Sequence, residues 1–246
     1  MNQPLKPADR LFVALDVESV GRALELVTSL RPFTKRFKIG SQLFTATGPD
    51  FVRKLVKSGA DVFLDLKFHD IPTTVAAAAS EATKLGVFMF NLHISGGRQM
   101  ITRAIEAASD TAARTGNRMP LVLGVTVLTS VDNATLRESG VTRSLEEQVL
   151  GLAKIGADAG LSGVVASPRE ARLIRESIGR GFIIVTPGIR PAGSSLDDQK
   201  RVMTPREAIN AGVDFLVTGR PITAAKDPVT AIQQIIGEIE AIGAAG

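Results

Sequence analysis

The sequence predicts an α/β fold, a closed (β/α)8 TIM barrel that forms a single domain over residues 1–246. Eight short runs rich in branched and aromatic residues alternate with amphipathic stretches along these 246 residues. This alternation indicates right-handed βαβ units and a parallel sheet, and eight units in about 250 residues is typical of a closed barrel. An open, doubly wound sheet is the alternative, but no glycine-rich phosphate motif follows the first run.

The individual elements follow from hydrophobic periodicity and from glycines near helix ends. The predicted strands are Leu11–Leu15, Phe37–Ile39, Val62–Leu66, Phe88–Leu92, Leu121–Val127, Gly163–Ala166, Phe182–Val185 and Phe215–Val217. The predicted helices are Glu18–Leu30, Asp50–Ser58, Thr73–Leu85, Arg98–Arg114, Ser144–Ala159, Arg169–Ile178, Pro205–Ala211 and Pro228–Ile242. Each predicted strand is therefore followed by a helical stretch that can return the chain to the start of the next strand.

Composition excludes several classes of function. The chain has no cysteine, so disulfides and sulfur-ligated metals are excluded, and its two histidines, His69 and His93, cannot form a multi-histidine metal site. Neither histidine is assigned a role. The net charge of +4 is spread along a chain without Trp or Tyr, which disfavours nucleic-acid binding. No apolar run is long enough for a membrane helix or a secretory signal, so we expect a cytoplasmic protein.

Charged residues concentrate at the carboxyl ends of the first three predicted strands, where barrel enzymes place their active sites. Asp16 ends the first strand, and Lys38 lies in the second. Because side chains alternate along a strand, Asp65 and Lys67 point to the same side, and Asp70 follows where the chain leaves the strand. A row of Lys38, Asp65, Lys67 and Asp70 is then possible, in which carboxylates hold ammonium groups in place. The alternative is a salt-bridge network that only closes the mouth of the barrel.

Two loops after the seventh and eighth predicted strands combine glycine with arginine. They are Pro187-Gly188-Ile189-Arg190 and Gly219-Arg220-Pro221-Ile222-Thr223. Barrels frequently bind phosphate at this position through loop amides, and arginine adds forked, charged donors. Each loop alone is compatible with an ordinary turn, but the pair favours a phosphorylated ligand. The stretch Ser194–Gln199 is either a solvated loop or a lid over the ligand, with Gln199 as the residue that would reach it.

Several sequence blocks resemble one known family over nearly the whole chain. The segment from Asp65 to Thr74 matches the pattern D-x-K-x-x-D-I-x-x-T of orotidine 5'-phosphate decarboxylases. Four further blocks agree in the same order: Phe12–Asp16, Phe37–Gly40, Val185–Pro191 and Thr218–Ile222. D-x-K alone is shared with sugar-phosphate enzymes on related barrels, whereas the full set of blocks is specific to this family.

The resemblance implies an enzyme that converts orotidine 5'-monophosphate to uridine 5'-monophosphate and CO2 in pyrimidine biosynthesis, without metal or organic cofactor. Lys67 would protonate C6, while Asp65 and Asp70 would flank the scissile carboxylate. The catalytic residues implied are Lys38, Asp65, Lys67 and Asp70. The protein would be a homodimer, in which Asp70 and Thr74 complete the partner's site.

The same resemblance assigns the substrate-binding residues. Asp16 and Lys38 would hold the ribose hydroxyls, and Thr129 or Ser130 would contact the pyrimidine. The phosphate would be bound by side chains or backbone amides of four residues, which are Arg190, Gln199, Gly219 and Arg220. The remaining positions expected to bind substrate are Ile71, Thr74 and Pro187.

Three other functions remain compatible with the residues themselves. A sugar-phosphate decarboxylase or synthase would work through an enediolate held by Mg2+, and chelation would stop it. An epimerase or isomerase would release no CO2. A phosphate-binding barrel without enzymatic activity would have no need of Lys67.

Overall fold

The computed structural model describes residues 5–191 and 203–241, and its eight strands form a closed barrel in chain order. All neighbouring strands are parallel, and the last strand pairs with the first. The predicted (β/α)8 barrel is therefore confirmed. The strands are β1 (Leu11–Ala14), β2 (Arg36–Gly40), β3 (Asp61–Phe68), β4 (Met89–His93), β5 (Leu121–Val125), β6 (Gly163–Val165), β7 (Ile183–Pro187) and β8 (Phe215–Thr218).

Helices surround the strands, and all eight predicted helices are present with ends shifted by a few residues. The helices are α1 (Val20–Leu30), α2 (Ser41–Thr47), α3 (Pro49–Lys57), α4 (Pro72–Lys84), α5 (Arg98–Thr115), α6 (Asn133–Glu138), α7 (Leu145–Asp158), α8 (Ala171–Ile178), α9 (Pro205–Asn210), α10 (Arg220–Thr223) and α11 (Pro228–Glu240). The sequence did not predict α2, α6 and α10, which are four to seven residues long. Within the described ranges, no helix is long and apolar enough to cross a membrane.

Two apolar layers lie on the two sides of the barrel wall. Alternate residues of the strands fill the interior, among them Phe12, Phe63 and Phe215, while the other residues pack against the helices. At the amino-terminal end of the barrel, the guanidinium of Arg36 lies 5.6 Å from the ring centre of Phe12 and 5.2 Å from that of Phe215. This end is filled by side chains, so the polar groups that can meet a ligand lie at the opposite, carboxyl end.

Candidate active site

A cavity of about 530 Å³ lies at the carboxyl ends of the strands, a volume suited to a small-molecule ligand. Its wall contains residues from most of the strands and from the loops that follow them. Of the residues predicted from the sequence, the cavity is lined by Asp16, Lys38, Asp65, Lys67, Thr129, Pro187, Arg190, Gly219 and Arg220. The charged strand ends and the two arginine loops therefore face the same space.

Four charged side chains form a continuous row of alternating sign along one wall of this cavity. Lys38 Nζ lies 2.9 Å from Asp16 Oδ1 and 3.4 Å from Asp65 Oδ2. Lys67 Nζ lies 2.7 Å from Asp65 Oδ1. The Lys38 side chain is 9% exposed and that of Asp65 13%, whereas that of Lys67 is 35% exposed. The row is thus anchored in the barrel at Lys38 and Asp65, and both of its ends are accessible, Asp16 at 50% and Lys67 at 35% exposure.

The surroundings of Asp65 keep it ionised. Burial alone would raise the pKa of Asp65, but the charges of Lys38 and Lys67 and hydrogen bonds from Lys67 and Asn91 oppose this effect. Their combined effect outweighs burial, so the pKa of Asp65 is below its usual value. Asp65 therefore carries its negative charge between the two lysine side chains at neutral pH.

The backbone of β3 is irregular where it carries Lys67. Lys67 has a φ of 52° and is the one non-glycine residue in the left-handed region among the residues that the structure describes. For a residue with a side chain this conformation costs about 1 kcal/mol. The strand pairing of β3 with β4 shifts register between Leu64 and Phe68, so the strained residue sits in a bulge. Strain of this kind clusters at functional sites.

Gly40, the last residue of β2, lets the row approach the backbone closely. A Cβ at this position would lie 2.9 Å from both Asp16 Oδ1 and Lys38 Nζ. Contacts this short require the ion pair to shift, so glycine leaves room for the Asp16–Lys38 pair. The sequence analysis placed Gly40 in a family block but gave it no part in the site.

The two arginine loops follow β7 and β8 and line the end of the cavity next to these strands. Gly188 has a φ of 83°, a conformation that glycine adopts without strain. The next loop residues are held in place because the Arg190 N–H donates to Met203 O at 3.1 Å. Arg190 is 6% exposed, and Arg220 begins α10 directly after Gly219. Guanidinium groups and loop amides at this end suit a phosphate.

Apolar side chains form a further part of the cavity wall. They come from the inner faces of β3, β5, β6 and β8 and from the loop after β5: Phe63, Val125, Val127, Leu128, Val165 and Val217. Thr129 also lines the cavity, whereas Ser130 is not among the lining residues. A flat, partly apolar ring could lie against this wall while its polar edge meets Thr129.

Besides Ser130, three residues expected at the site do not line the cavity of their own chain. The Asp70 carboxylate accepts a hydrogen bond from the Ile71 N–H at 2.6 Å, and among the described residues it forms no ion pair. Asp70 and Thr74 are exposed, and Ile71 is 63% exposed. Asp70 therefore does not join the row within one chain, because the strand has ended and the chain turns into α4. Gln199 lies outside the described residues.

His69 and His93 contact each other near the row, with ring centres 5.2 Å apart and ring planes tilted by 42°. Burial lowers the pKa of His93, and the nearby charges of His69 and Lys67 lower it further. His93 is therefore neutral at pH 7 and adds no charge next to Lys67. Within the described parts of the chain, no group of three or more His, Asp or Glu side chains could hold a metal ion.

Two parts of the site were not among the predicted site residues. Ser41 and Gln42, at the start of α2, line the cavity, but the sequence placed no helix there. Asn91 is fully buried and bonds to both Asp65 and Lys67. A buried amide at an inward position of β4 was the available signal for Asn91, since buried polar groups require partners.

A closed barrel whose charged row and arginine loops meet at the carboxyl ends of its strands belongs to the class of (β/α)8-barrel enzymes. Residues 9–235 match the model of the orotidine 5'-phosphate decarboxylase / HUMPS family. The chain belongs to this family.

Named proteins from other organisms are similar to the chain over almost its full length. An orotidine 5'-phosphate decarboxylase of Syntrophotalea carbinolica is 56% identical over 232 residues, covering 94% of this chain and 95% of the other. One of Moorella thermoacetica is 52% identical, covering 95% of this chain and 93% of the other. The crystal structure of orotidine 5'-phosphate decarboxylase from Lactobacillus acidophilus superposes with a TM-score of 0.83 at 38% identity, covering 93% and 98% of the two chains.

Proposed function

We propose that this protein is an orotidine 5'-phosphate decarboxylase, which converts orotidine 5'-monophosphate to uridine 5'-monophosphate and CO2 in pyrimidine biosynthesis. The observation that carries the proposal is the row Asp16–Lys38–Asp65–Lys67, whose accessible ammonium shares a cavity with Arg190 and Arg220. The membership of the family and the names of the similar proteins support the same activity.

Lys67 is the proposed proton donor. When the bond between C6 and the carboxylate breaks, its electron pair stays on C6 and CO2 leaves. This pair lies in the plane of the ring and cannot delocalise into the π system, so it needs an adjacent positive charge. The ammonium of Lys67 supplies that charge, gives one proton to C6, and regains a proton from water after release of the product.

Asp65 fixes the ammonium of Lys67 and also lies near the substrate carboxylate in this arrangement. Its negative charge disfavours the bound carboxylate more than the carbanion that remains when CO2 has left. The stabilisation by Lys67 is the larger effect in our proposal, since a preorganised charge needs no rearrangement during the reaction. Asp16 and Lys38 hold the ribose hydroxyls.

The part of the cavity lined by the loops after β7 and β8 is the proposed phosphate site. Its proposed ligands are Arg190, Gly219 and Arg220, which line the cavity, and Gln199, which the family pattern implies. Binding energy gained at the phosphate, far from C6, holds the ring against Lys67. Thr129 or Ser130 contacts the pyrimidine, with Pro187 beside it.

We further propose a homodimer in which Asp70, Ile71 and Thr74 reach the partner's cavity. These residues are exposed and do not line the cavity of their own chain. A carboxylate from the partner would extend the alternating row beyond Lys67. Exposure of an isoleucine at 63% beside two polar residues is consistent with a surface that becomes covered on association.

A magnesium-dependent sugar-phosphate enzyme is the rival function. Asp65 lines the cavity, but its oxygens already accept from Lys67 and Asn91 and lie 3.4 Å from the ammonium of Lys38. A carboxylate with these three partners is poorly suited to bind Mg2+, which prefers oxygen ligands without competing cations.

An ultraviolet assay with orotidine 5'-monophosphate, with and without EDTA, tests the proposed function. Because the chain has no Trp or Tyr, the protein contributes little absorbance to the assay. We expect conversion to uridine 5'-monophosphate at the same rate in both conditions. Failure to convert the nucleotide, in folded protein that turns over a sugar phosphate only with added Mg2+, would establish the rival instead.

A further inference from the structure

Asn91 is a buried amide on the inner face of β4 that the proposed reaction does not use. Its side chain is fully buried and makes two hydrogen bonds. Asn91 Nδ2 donates to Asp65 Oδ1 at 2.7 Å, and Asn91 Oδ1 accepts from the Lys67 N–H at 2.8 Å. Both bonds connect β4 to the two residues of the row that lie on β3, Asp65 and Lys67.

The two bonds hold Lys67 at its backbone and at its ammonium. Asp65 Oδ1, which accepts from Asn91, is the same oxygen that lies 2.7 Å from Lys67 Nζ. One amide therefore orients the carboxylate that positions the ammonium and also binds the backbone N–H of the same lysine. A shift of Asn91 would move both ends of Lys67.

The bulge in β3 explains why a side chain takes this place. Leu64 pairs with Phe90 and Phe68 pairs with Leu92, so four residues of β3 span the length of two residues of β4. The regular ladder cannot satisfy every backbone group across this mismatch, and an unpaired buried N–H is costly. Asn91, opposite the bulge, supplies the acceptor that Lys67 needs in its left-handed conformation.

We propose that Asn91 is a positioning residue for the decarboxylation: its amide holds the bulge of β3 so that the ammonium of Lys67 stands at C6. The expected effect of Asn91 on the reaction rate rests on the proposed function. The geometric part, that Asn91 holds the backbone of Lys67, does not depend on which substrate is used.

Replacing Asn91 by leucine, of similar size, removes both hydrogen bonds and leaves the interior filled. A displacement of about 1 Å at the reacting atom costs about 100-fold in rate. We therefore expect the Asn91→Leu variant to lose about 100-fold in kcat for orotidine 5'-monophosphate. KM should change little, because the phosphate end of the cavity is unaltered.

The Asn91→Asp variant adds a pH readout that a purely structural role would not produce. A protonated aspartic acid can donate to Asp65 and accept from Lys67 as the amide does, whereas the ionised form would repel Asp65. The charged groups facing it are Asp65 and Lys67 from β3, with Lys38 behind Asp65; from β5 it faces Leu123. The ratio of its turnover to wild-type turnover should fall as the pH rises from about 5 to about 8.

Thr34 offers a matched control at the other end of the barrel. Like Asn91, it is buried, accepts a backbone N–H (that of Arg36, 3.1 Å), and donates to an oxygen of a neighbouring strand (Leu11 O, 3.3 Å). Thr34→Val removes both bonds without approaching the row. It should lower thermal stability to a similar extent, with kcat close to wild type.

Hydrogen exchange of the β3 peptide that contains Lys67 provides a readout independent of activity. We expect faster exchange in Asn91→Leu than in wild type or Thr34→Val. Wild-type kcat in Asn91→Leu, unchanged exchange, or an equal loss of kcat in Thr34→Val would overturn the positioning role. If wild-type protein does not convert orotidine 5'-monophosphate, the proposed function fails, while exchange still decides whether Asn91 holds Lys67.

Discussion

At the scale of single residues, the charge balance of the cavity depends on Asp65. This carboxylate lies between two ammonium groups, at 3.4 Å from Lys38 Nζ and 2.7 Å from Lys67 Nζ. Loss of Asp65 would leave two positive charges near each other with one carboxylate, Asp16, beside Lys38. Loss of Lys67 would leave Asp65 paired with Lys38. We therefore expect loss of Lys67 to disturb the charge balance of the cavity less than loss of Asp65.

Lys67→Ala should abolish most turnover while the fold remains intact. General acid catalysis contributes about 100-fold to 10,000-fold, and the variant also loses the positive charge at C6, so we expect a decrease in kcat of at least about 1,000-fold. Steady-state kinetics with orotidine 5'-monophosphate measures it. The control is Lys84→Ala, which removes a surface lysine paired with Glu81 and should leave kcat within about twofold of wild type. Near-normal turnover of Lys67→Ala would contradict the proposed mechanism.

Asp65 should also make stability depend on pH in the acid range. Its pKa is lower in the folded protein than the ordinary value of 3.8, so its stabilising contribution is fully present above pH 3.8 and is lost as the pH falls through the folded value. The melting temperature of Asp65→Asn should thus lie well below that of wild type at pH 7, with a smaller difference near pH 3. Thermal unfolding followed by circular dichroism at both pH values measures this difference. A gap of the same size at both values would show that the charge of Asp65 does not stabilise the fold.

At the scale of elements, β3 shows which structural features a sequence pattern predicts and which it does not. Period-two alternation predicted that Asp65 and Lys67 share a face, and the structure places both in the cavity, while Leu66 packs against the helix layer. The bulge and the left-handed Lys67 were not predicted, because they depend on the register between β3 and β4. Register is set between two strands, so the sequence of β3 alone does not determine it. Asn91 of β4, 24 residues beyond Lys67, fixes this register through the hydrogen bonds of its side chain.

The same limit explains the other differences between prediction and structure. Strand and helix positions depend on local apolar periods, and the barrel follows from their number and order. The short α2, which brings Ser41 and Gln42 to the cavity, has no such period. Asp70 was placed in the row from its spacing along the chain, but α4 begins two residues later and the chain has already turned away.

Arg175, on α8, should be important for holding β7 and β8 together at the amino-terminal end of the barrel. Its guanidinium donates to the carbonyl oxygens of Gly179, Phe182 and Gly212 and lies 2.7 Å from Asp214 Oδ2. We expect Arg175→Met to lower the free energy of unfolding by about 2 kcal/mol, less than for a fully buried pair because Asp214 is partly exposed. Urea unfolding measures the loss.

A surface arginine provides the comparison for that measurement. Arg103 pairs with Glu106 on α5, and both side chains are more than half exposed, at 57% and 53%. Arg103→Met should change the free energy of unfolding by less than about 0.5 kcal/mol. Equal losses in the two variants would mean that the network around Arg175 adds nothing beyond a surface ion pair.

At the scale of the whole molecule, one chain holds a row that ends at Lys67. The carboxylate that the family pattern places beyond it, Asp70, is exposed and bonded to its own Ile71 N–H. If a second chain supplies Asp70 and Thr74, each cavity of the dimer contains Lys67 from one chain and Asp70 from the other. Lys67→Ala and Asp70→Asn then affect the same site only when one chain of the dimer carries the first substitution and the other chain carries the second.

Mixing these two inactive variants should therefore restore activity. After unfolding and refolding of an equal mixture, about half of the dimers are hybrids, and in each hybrid one site carries both substitutions and the other carries neither. We expect roughly a quarter of wild-type turnover from the mixture, against almost none from either variant alone. Single-variant samples refolded in the same way serve as controls. If the mixture stays inactive although mass spectrometry detects hybrid dimers, Asp70 acts within its own chain, and the row must be completed by movement of the β3–α4 loop.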